Sequence, residues 1–132
     1  MARALKRHQA RNGAVSMLGR ALSRRARSCC ELCGDKDELR PVEVSPLPEE
    51  PNADHALLAC GRCRLALSGG RGTPDPQSLR FLETAVWSQV PPAQVAAVRL
   101  ADRLGSQNVV WARDLVDGLY LDPAVEAWVG AV

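Results

Sequence analysis

A chain of 132 residues, of which 46% are hydrophobic and 24% charged, has the size and composition of one compact domain or two very small ones. These values exclude multi-domain machinery and a largely disordered chain. Aromatic residues make up only 4%, so the core must be built mainly from Leu, Val and Ala, and small cores of that kind often need a metal ion for stability. The chain shows neither an apolar run long enough to cross a bilayer nor a secretory signal, so we predict a cytoplasmic protein with no membrane partner.

Charge is distributed unevenly along the chain. Residues 1–28 carry eight basic and no acidic residues, whereas residues 29–132 carry nine basic and fifteen acidic ones, so the net charge of +2 conceals a strongly basic N-terminus. We call residues 1–27 the basic arm. Such an arm favours an anionic partner such as nucleic acid, and a solvated helix face or an organelle transit peptide are the alternatives.

The basic arm is predicted to contain an amphipathic helix. Val15, Leu18 and Leu22 recur at helical spacing after a break at Gly13, which places this helix at residues 14–27. Its basic face would be exposed to solvent. The candidate phosphate contacts are the arginines nearest the cysteines that follow: Arg20, Arg24, Arg25 and Arg27.

Residues 28–67, the cysteine module, contain all five cysteines. Cys30 and Cys33 form one Cys-x2-Cys pair and Cys60 and Cys63 form a second, with 26 residues between the two pairs. A tight turn presents both sulfurs of such a pair to one ion, and two pairs complete the tetrahedron that zinc prefers. Four cysteine ligands leave no open coordination position, so the predicted cofactor is one structural Zn²⁺. Two disulfides, a thioredoxin-like redox pair and an iron–sulfur site are the alternatives.

The residues beside the cysteine pairs support a metal site. Gly34 and Gly61 are expected to provide the permissive backbone that tight turns need. Arg62 and Arg64 are expected to offset the negative charge of the thiolates. The remaining cysteine, Cys29, is predicted to be a packed spare thiol.

The rest of the chain predicts an α+β fold. Two strand-like runs, 39–44 and 55–59, lie between the cysteine pairs, and residues 68–76 form a Gly/Pro-rich linker. Residues 77–132, the helical part, are predicted to form a small helical domain. Its helices are expected over residues 76–90, 92–104, 108–120 and 123–128, with Gly105 ending the second. The aromatic residues all lie in this part and are predicted core anchors: Phe81, Trp87, Trp111, Tyr120 and Trp128.

Five segments carry a family resemblance: CELCG at 30–34, PVEVSP at 41–46, LLACGRCR at 57–64, VWSQVPPAQVAAVRLADRL at 86–104 and WARDLVDGLYLD at 111–122. Together they resemble the N-terminal zinc-ribbon region of the PhnA-like proteins, a family named for an operon of alkylphosphonate utilisation. The resemblance implies the same four zinc ligands that the spacing indicates. Longer family members continue into a β-rich C-terminal domain that this sequence does not contain. Phosphonate hydrolysis is not indicated, because it needs several His, Asp or Glu ligands around open metal positions, and the two histidines lie in no such motif.

The order of cysteine pair, strand, loop, strand and cysteine pair is also similar to the zinc-stabilised HNH nucleases. In that family, histidines between and just after the cysteine pairs activate water and bind a catalytic metal. Here those positions read Val42-Glu43-Val44 and Arg64, so a general base and a metal ligand are missing. Glu43 and His55, predicted to be a solvated strand residue and a strand-edge surface residue, are the positions that an enzyme would have to use.

The leading prediction is therefore a non-enzymatic zinc-binding protein. A zinc-ribbon or treble-clef-like module would be flanked by the basic arm and the helical part, and would bind a macromolecular partner, with nucleic acid favoured over protein. An exposed Tyr120 or Trp128 would favour a protein partner. The alternative is an enzyme, either a divergent HNH-like nuclease or a hydrolase linked to phosphonate metabolism.

Overall fold

The structure, a computed structural model, describes residues 2–131 as an α+β fold with seven α-helices and one two-stranded antiparallel sheet. The elements are α1 (Ala2–Met17), α2 (Gly19–Ala26), β1 (Arg40–Glu43), β2 (Ala56–Ala59), α3 (Gly61–Ser68), α4 (Leu82–Ala85), α5 (Pro91–Ser106), α6 (Val110–Asp117) and α7 (Pro123–Gly130). Two short 3-10 helices add Ala53–His55 and Pro76–Leu79. Within residues 2–131, no helix has both the length and the apolar character needed to cross a membrane.

The basic arm forms two helices where the sequence predicted one. The break falls at Leu18, between α1 and α2, and the predicted break at Gly13 is wrong, since Gly13 lies inside α1. Gly13 has no atom within 4 Å of the position that a Cβ would occupy, so no contact forces a bend there. After Leu18 the chain docks on the sheet, because Leu22 of α2 is fully buried in a small cluster with Ala56 and Leu58 of β2.

The strand prediction is confirmed to within one residue at each end. β1 pairs antiparallel with β2 over four residue pairs. All four residues of β2 are buried: Ala56 and Leu58 pack with α2, whereas Leu57 and Ala59 belong to the main core. Alternate side chains of a strand point to opposite faces, so β2 is covered on both sides. The second cysteine pair follows directly from this buried strand.

Helix α5 is the centre of the helical part, where ten of its residues are buried and α4, α6 and α7 pack against it. The last three predicted helices are confirmed as α5, α6 and α7. The single helix predicted over 76–90 is wrong, because a 3-10 helix and the short α4 stand there instead. Gly105 does not end α5 but lies within it, where a Cβ would come 3.2 Å from the Cα atom of Arg113 in α6. Its small size lets the two helices approach closely.

The aromatic residues divide into two groups. Phe81, Trp111 and Trp128 are half-buried and pack against the main core, as predicted. Trp87 and Tyr120 are 50% and 92% exposed, so their prediction as core anchors is wrong. The core around α5 is filled largely by small side chains, among them the four alanines of that helix.

One hydrophobic core continues from the cysteine module into the helical part. It includes Leu57 and Ala66 on one side of the predicted linker and Leu100 on the other. Arg103 of α5 adds a polar connection by donating hydrogen bonds to the carbonyl oxygens of Ala66 and Leu67, at the end of α3. Whether residues 68–76 separate two folding units stays a prediction.

Candidate metal centre

The four predicted ligand cysteines come together in space. The Sγ atoms of Cys30, Cys33, Cys60 and Cys63 all lie within 4.8 Å of one another, and those of Cys33 and Cys60 are 3.6 Å apart. This separation is well beyond the bond of about 2.05 Å that a disulfide requires. All five cysteines are free thiols. Four sulfur atoms at these distances can surround a single metal ion.

The first cysteine pair lies on a tight turn before the sheet. Gly34 has a left-handed backbone with φ of +85°, as predicted, and its N–H donates to the carbonyl of Cys30 at 2.9 Å. Backbone N–H groups also approach the sulfurs: Leu32 N lies 3.4 Å from Cys30 Sγ, and Asp35 N lies 3.4 Å from Cys33 Sγ. Such N–H groups stabilise thiolates, which are the forms that bind a metal.

The second pair lies at a helix N-terminus and not on the predicted turn. Cys60 follows β2 and caps α3, and its Sγ accepts a hydrogen bond from the N–H of Cys63 at 3.5 Å. The positive end of the helix dipole favours negative charge at both sulfurs. Gly61 is the first residue of α3, so its predicted role in a permissive turn is wrong. Its missing Cβ instead leaves room for the carboxylate of Glu38.

Glu31, which sequence analysis did not single out, ties the first pair to the strand before the second. Its N–H donates to the carbonyl of Leu58 at 2.8 Å, and its carboxylate accepts from the N–H of Leu58 at 2.8 Å. The guanidinium of Arg25 donates to both carboxylate oxygens at 2.7 and 2.9 Å. Because the Glu31 side chain is only 4% exposed, this ion pair is largely shielded from water. The sequence carries one signal of this ion pair: Glu31 lies between two cysteines of the predicted metal site. A carboxylate beside two thiolates needs a nearby cation to offset its charge.

The thiols interact strongly with one another. A hydrogen bond with Cys63 lowers the pKa of Cys30 to about 4, and the same bond raises the pKa of Cys63. Burial raises the pKa of Cys60. A hydrogen bond with Cys33 raises the pKa of Arg62, so this guanidinium offsets thiolate charge as predicted. All four sulfurs can ionise together only when a cation compensates their repulsion.

Arg64 and Cys29 stand outside the sulfur cluster. Arg64 donates to the carbonyl of Glu38 at 2.8 Å and lines a cleft that none of the four cysteines borders, so the prediction that it offsets the thiolate charge is not supported. The thiol of Cys29 is half-buried and donates to the carbonyl of Arg27 at 3.4 Å. Cys29 is therefore a spare thiol beside the site.

The structure separates the four arginines predicted to contact phosphate. Arg20, Arg24 and Arg27 are exposed. Arg20 and Arg24 are four residues apart and share one face of α2, whereas Arg27 caps the C-terminal end of α2 with a left-handed backbone (φ of +54°). Arg25 departs from that prediction, because in addition to Glu31 it donates to the carbonyls of Ala53 and Ala56. Its guanidinium is engaged within the fold and is not free to contact phosphate.

Glu43 and His55, the candidate residues of an enzyme, do not share a site. Glu43 is not a solvated strand residue, because both its carboxylate oxygens accept hydrogen bonds from Arg11, at 2.7 and 2.9 Å. His55 is half-buried, with Nδ1 at 2.9 Å from the side-chain oxygen of Asn52 and its ring 5.3 Å from that of Trp128. The two residues line different cavities, and this geometry does not favour the nuclease alternative.

Comparison with known proteins adds no assignment: the chain matches no protein-family model, no curated protein and no solved structure.

Proposed function

We propose that this chain is a non-enzymatic zinc-binding protein, in which Cys30, Cys33, Cys60 and Cys63 hold one structural Zn²⁺ and the basic arm binds nucleic acid. The observation that supports the metal is the sulfur cluster. A tetrahedral ion with Zn–S distances of about 2.3 Å separates its sulfurs by about 3.8 Å, and the Cys33 and Cys60 sulfurs are 3.6 Å apart.

Zinc suits this donor set better than the alternatives. An iron–sulfur cluster spreads its cysteines around several atoms, whereas these four sulfurs converge on a volume that suits one ion. Four protein ligands fill the tetrahedron, so the ion would stabilise the fold and not activate water. The proposed location is the cytoplasm, where cysteines stay reduced and free to bind a metal.

The arrangement of elements supports a treble-clef-like module within the proposed family. A cysteine-bearing turn is followed by a two-stranded hairpin and a helix whose first turn carries the second pair. The relation to the PhnA-like proteins rests on sequence motifs, and its cysteine segments coincide with this turn and this helix.

Nucleic acid is the partner that the basic arm favours. Arg20 and Arg24 on α2 and Arg27 at its C-cap form an exposed arginine stripe, and none of them makes an ion pair within residues 2–131. Because α2 docks on β2 through Leu22, the stripe is held in a fixed position relative to the metal module. Because these cations are already held in place, less conformational entropy is lost when they bind the phosphate backbone.

Two measurements test the proposal. Metal analysis of the purified protein should find one zinc per chain, and iron in its place would overturn the zinc assignment. Filter binding of single-stranded DNA and RNA should weaken steeply with salt. Replacing the three stripe arginines with Ala should reduce the slope of log affinity against log salt by about 2, at about 0.7 per phosphate contact.

A matched control separates the stripe from net charge. Lys36, Arg40 and Arg71 are exposed basic residues outside the basic arm, and replacing them with Ala removes the same charge. The control should keep nearly the full salt dependence. Equal effects in both variants, or no affinity at about 50 mM salt, would contradict nucleic-acid binding by the arm.

A protein partner is the second candidate, because Tyr120 is 92% exposed. Exposed aromatic residues often anchor protein interfaces. Tyr120→Ala should then weaken capture of the partner while leaving zinc content unchanged. A partner retained at full affinity by this variant would rule out that surface.

A further inference from the structure

A cleft of about 370 Å³ lies between β1, α3 and α5, apart from the sulfur cluster. Its volume is in the range of small-molecule sites. Three arginines line it: Arg64 from α3, and Arg99 and Arg103 from α5. Ser45 and Ser68 add hydroxyl groups to the wall. Three arginines around one cleft give it the positive charge that favours an anion.

The cleft has a net positive charge. Its one acidic lining residue, Glu43, is engaged by the guanidinium of Arg11 through both carboxylate oxygens. Arg64, Arg99 and Arg103 make no ion pair with any residue between positions 2 and 131. Three like charges close together are costly unless an anion joins them.

Two of the arginines are held in place by carbonyl oxygens. Arg99 donates to the carbonyls of Trp128, Val129 and Ala131 at the end of α7, and to Ser45 Oγ at 3.1 Å. Burial lowers the pKa of Arg99, which reflects a partly desolvated charge. Arg103 is fixed in the same way by carbonyls at the end of α3. Both guanidinium groups are therefore positioned before any ligand arrives.

Arg64 has donors to spare. Its one hydrogen bond within the described chain is the Nη2 contact to the carbonyl of Glu38, and its Nε is buried without an acceptor. Burial also keeps Nε from contact with a ligand, so Nη1, which has no acceptor within the described residues, is the donor that a bound anion would engage. The geometry thus leaves a place for acceptor oxygens beside Arg64.

We propose that this cleft binds a phosphate group carried by a small phosphorylated ligand. A phosphate dianion offers several oxygens and two charges to three guanidinium groups, whereas a carboxylate offers one charge and two oxygens. The site is separate from the arginine stripe on α2 and does not depend on nucleic-acid binding by the arm.

The test is calorimetric titration of the zinc-loaded full chain with inorganic phosphate and with pyrophosphate, with acetate as the carboxylate comparison. Phosphate and pyrophosphate should bind, and acetate should not. Arg64→Ala should weaken pyrophosphate binding about tenfold or more, which corresponds to about 1.4 kcal/mol. Arg71→Ala removes an exposed arginine outside the cleft and should leave the affinity unchanged.

Zinc content and circular dichroism of each variant show whether the fold is intact. Arg103→Lys provides a second variant that keeps the charge but loses the planar fork, and it should also weaken pyrophosphate binding. Displacement of pyrophosphate by a single-stranded oligonucleotide would overturn the small-ligand proposal, because nucleic-acid phosphates would then occupy the cleft. No displacement would support a free phosphorylated ligand. No binding of either probe at about 1 mM, or equal binding by Arg64→Ala, would overturn the proposal.

Discussion

The cysteine module and the helical part are stabilised in different ways. In the helical part, apolar residues of α5 are buried against three neighbouring helices. The cysteine module instead depends on directional contacts, which are the four converging sulfurs and the Arg25–Glu31 ion pair. Apolar burial tolerates small changes, whereas a buried polar group without its partner is costly. We therefore expect the module to lose its structure first when one component is removed.

The largest effect should follow the loss of one ligand. Cys60→Ser should prevent stable zinc binding and unfold the cysteine module, because metal binding and folding are coupled in small modules of this kind. The helical part should keep much of its helical signal, since α5 retains its packing with α6 and α7. Hydrogen exchange measured segment by segment would show fast exchange in residues 28–67 and slower exchange in residues 91–130.

Cys29→Ser is the matched control for this experiment. Cys29 lies next to Cys30 but outside the sulfur cluster, so this variant should keep its zinc and its stability. Equal loss of protection in both regions of Cys60→Ser would contradict a boundary at residues 68–76. It would mean that the continuous core makes the chain one folding unit.

A smaller effect is expected for the ion pair beside the metal centre. Glu31→Gln keeps an acceptor for the N–H of Leu58 but leaves Arg25 without its carboxylate, and should lower the free energy of unfolding by about 2 to 4 kcal/mol. Chemical denaturation of the zinc-loaded protein measures this. Glu83→Gln is the control, because the Glu83–Arg80 pair is exposed and its loss should change little. If both variants lost similar free energy of unfolding, the buried ion pair would stabilise the protein no more than the exposed one.

The contact between the basic arm and the sheet should be weaker still. Leu22→Ala removes the only side chain of α2 that is fully buried in the described structure, and should cost about 2 to 3 kcal/mol. Leu5→Ala changes a residue of α1 that is 57% exposed and should have almost no effect on stability. If Leu22→Ala also left stability unchanged, α2 would not be docked on β2, and its arginine stripe would have no fixed position.

The sequence predicted the elements with local signals and missed those set by tertiary contacts. The spacing of the cysteines was sufficient to identify the four clustered thiols, because a site of this kind uses two Cys-x2-Cys pairs that are visible in the sequence. The exposure of Tyr120 depends on which elements pack together, and no local pattern encodes that. The position of Glu31 between two thiolates signals a nearby cation, but only the packing of α2 identifies that cation as Arg25. The helix that begins at Gly61 was missed because a cysteine pair fits a turn or a helix N-terminus equally well.

The smallest predicted effect compares two helical glycines. In Gly105→Ala, the new Cβ would lie 3.2 Å from the backbone of Arg113, so α5 and α6 must separate slightly. The packing strain should exceed the gain in helix propensity and destabilise the protein by about 1 kcal/mol. In Gly13→Ala the Cβ meets nothing within 4 Å, so the higher propensity of Ala should slightly increase helix content in α1. Thermal unfolding followed by circular dichroism measures both. If Gly105→Ala were stabilising, α5 and α6 would be able to move apart at little cost in free energy. The close contact at Gly105 would then not be required for packing in the helical part.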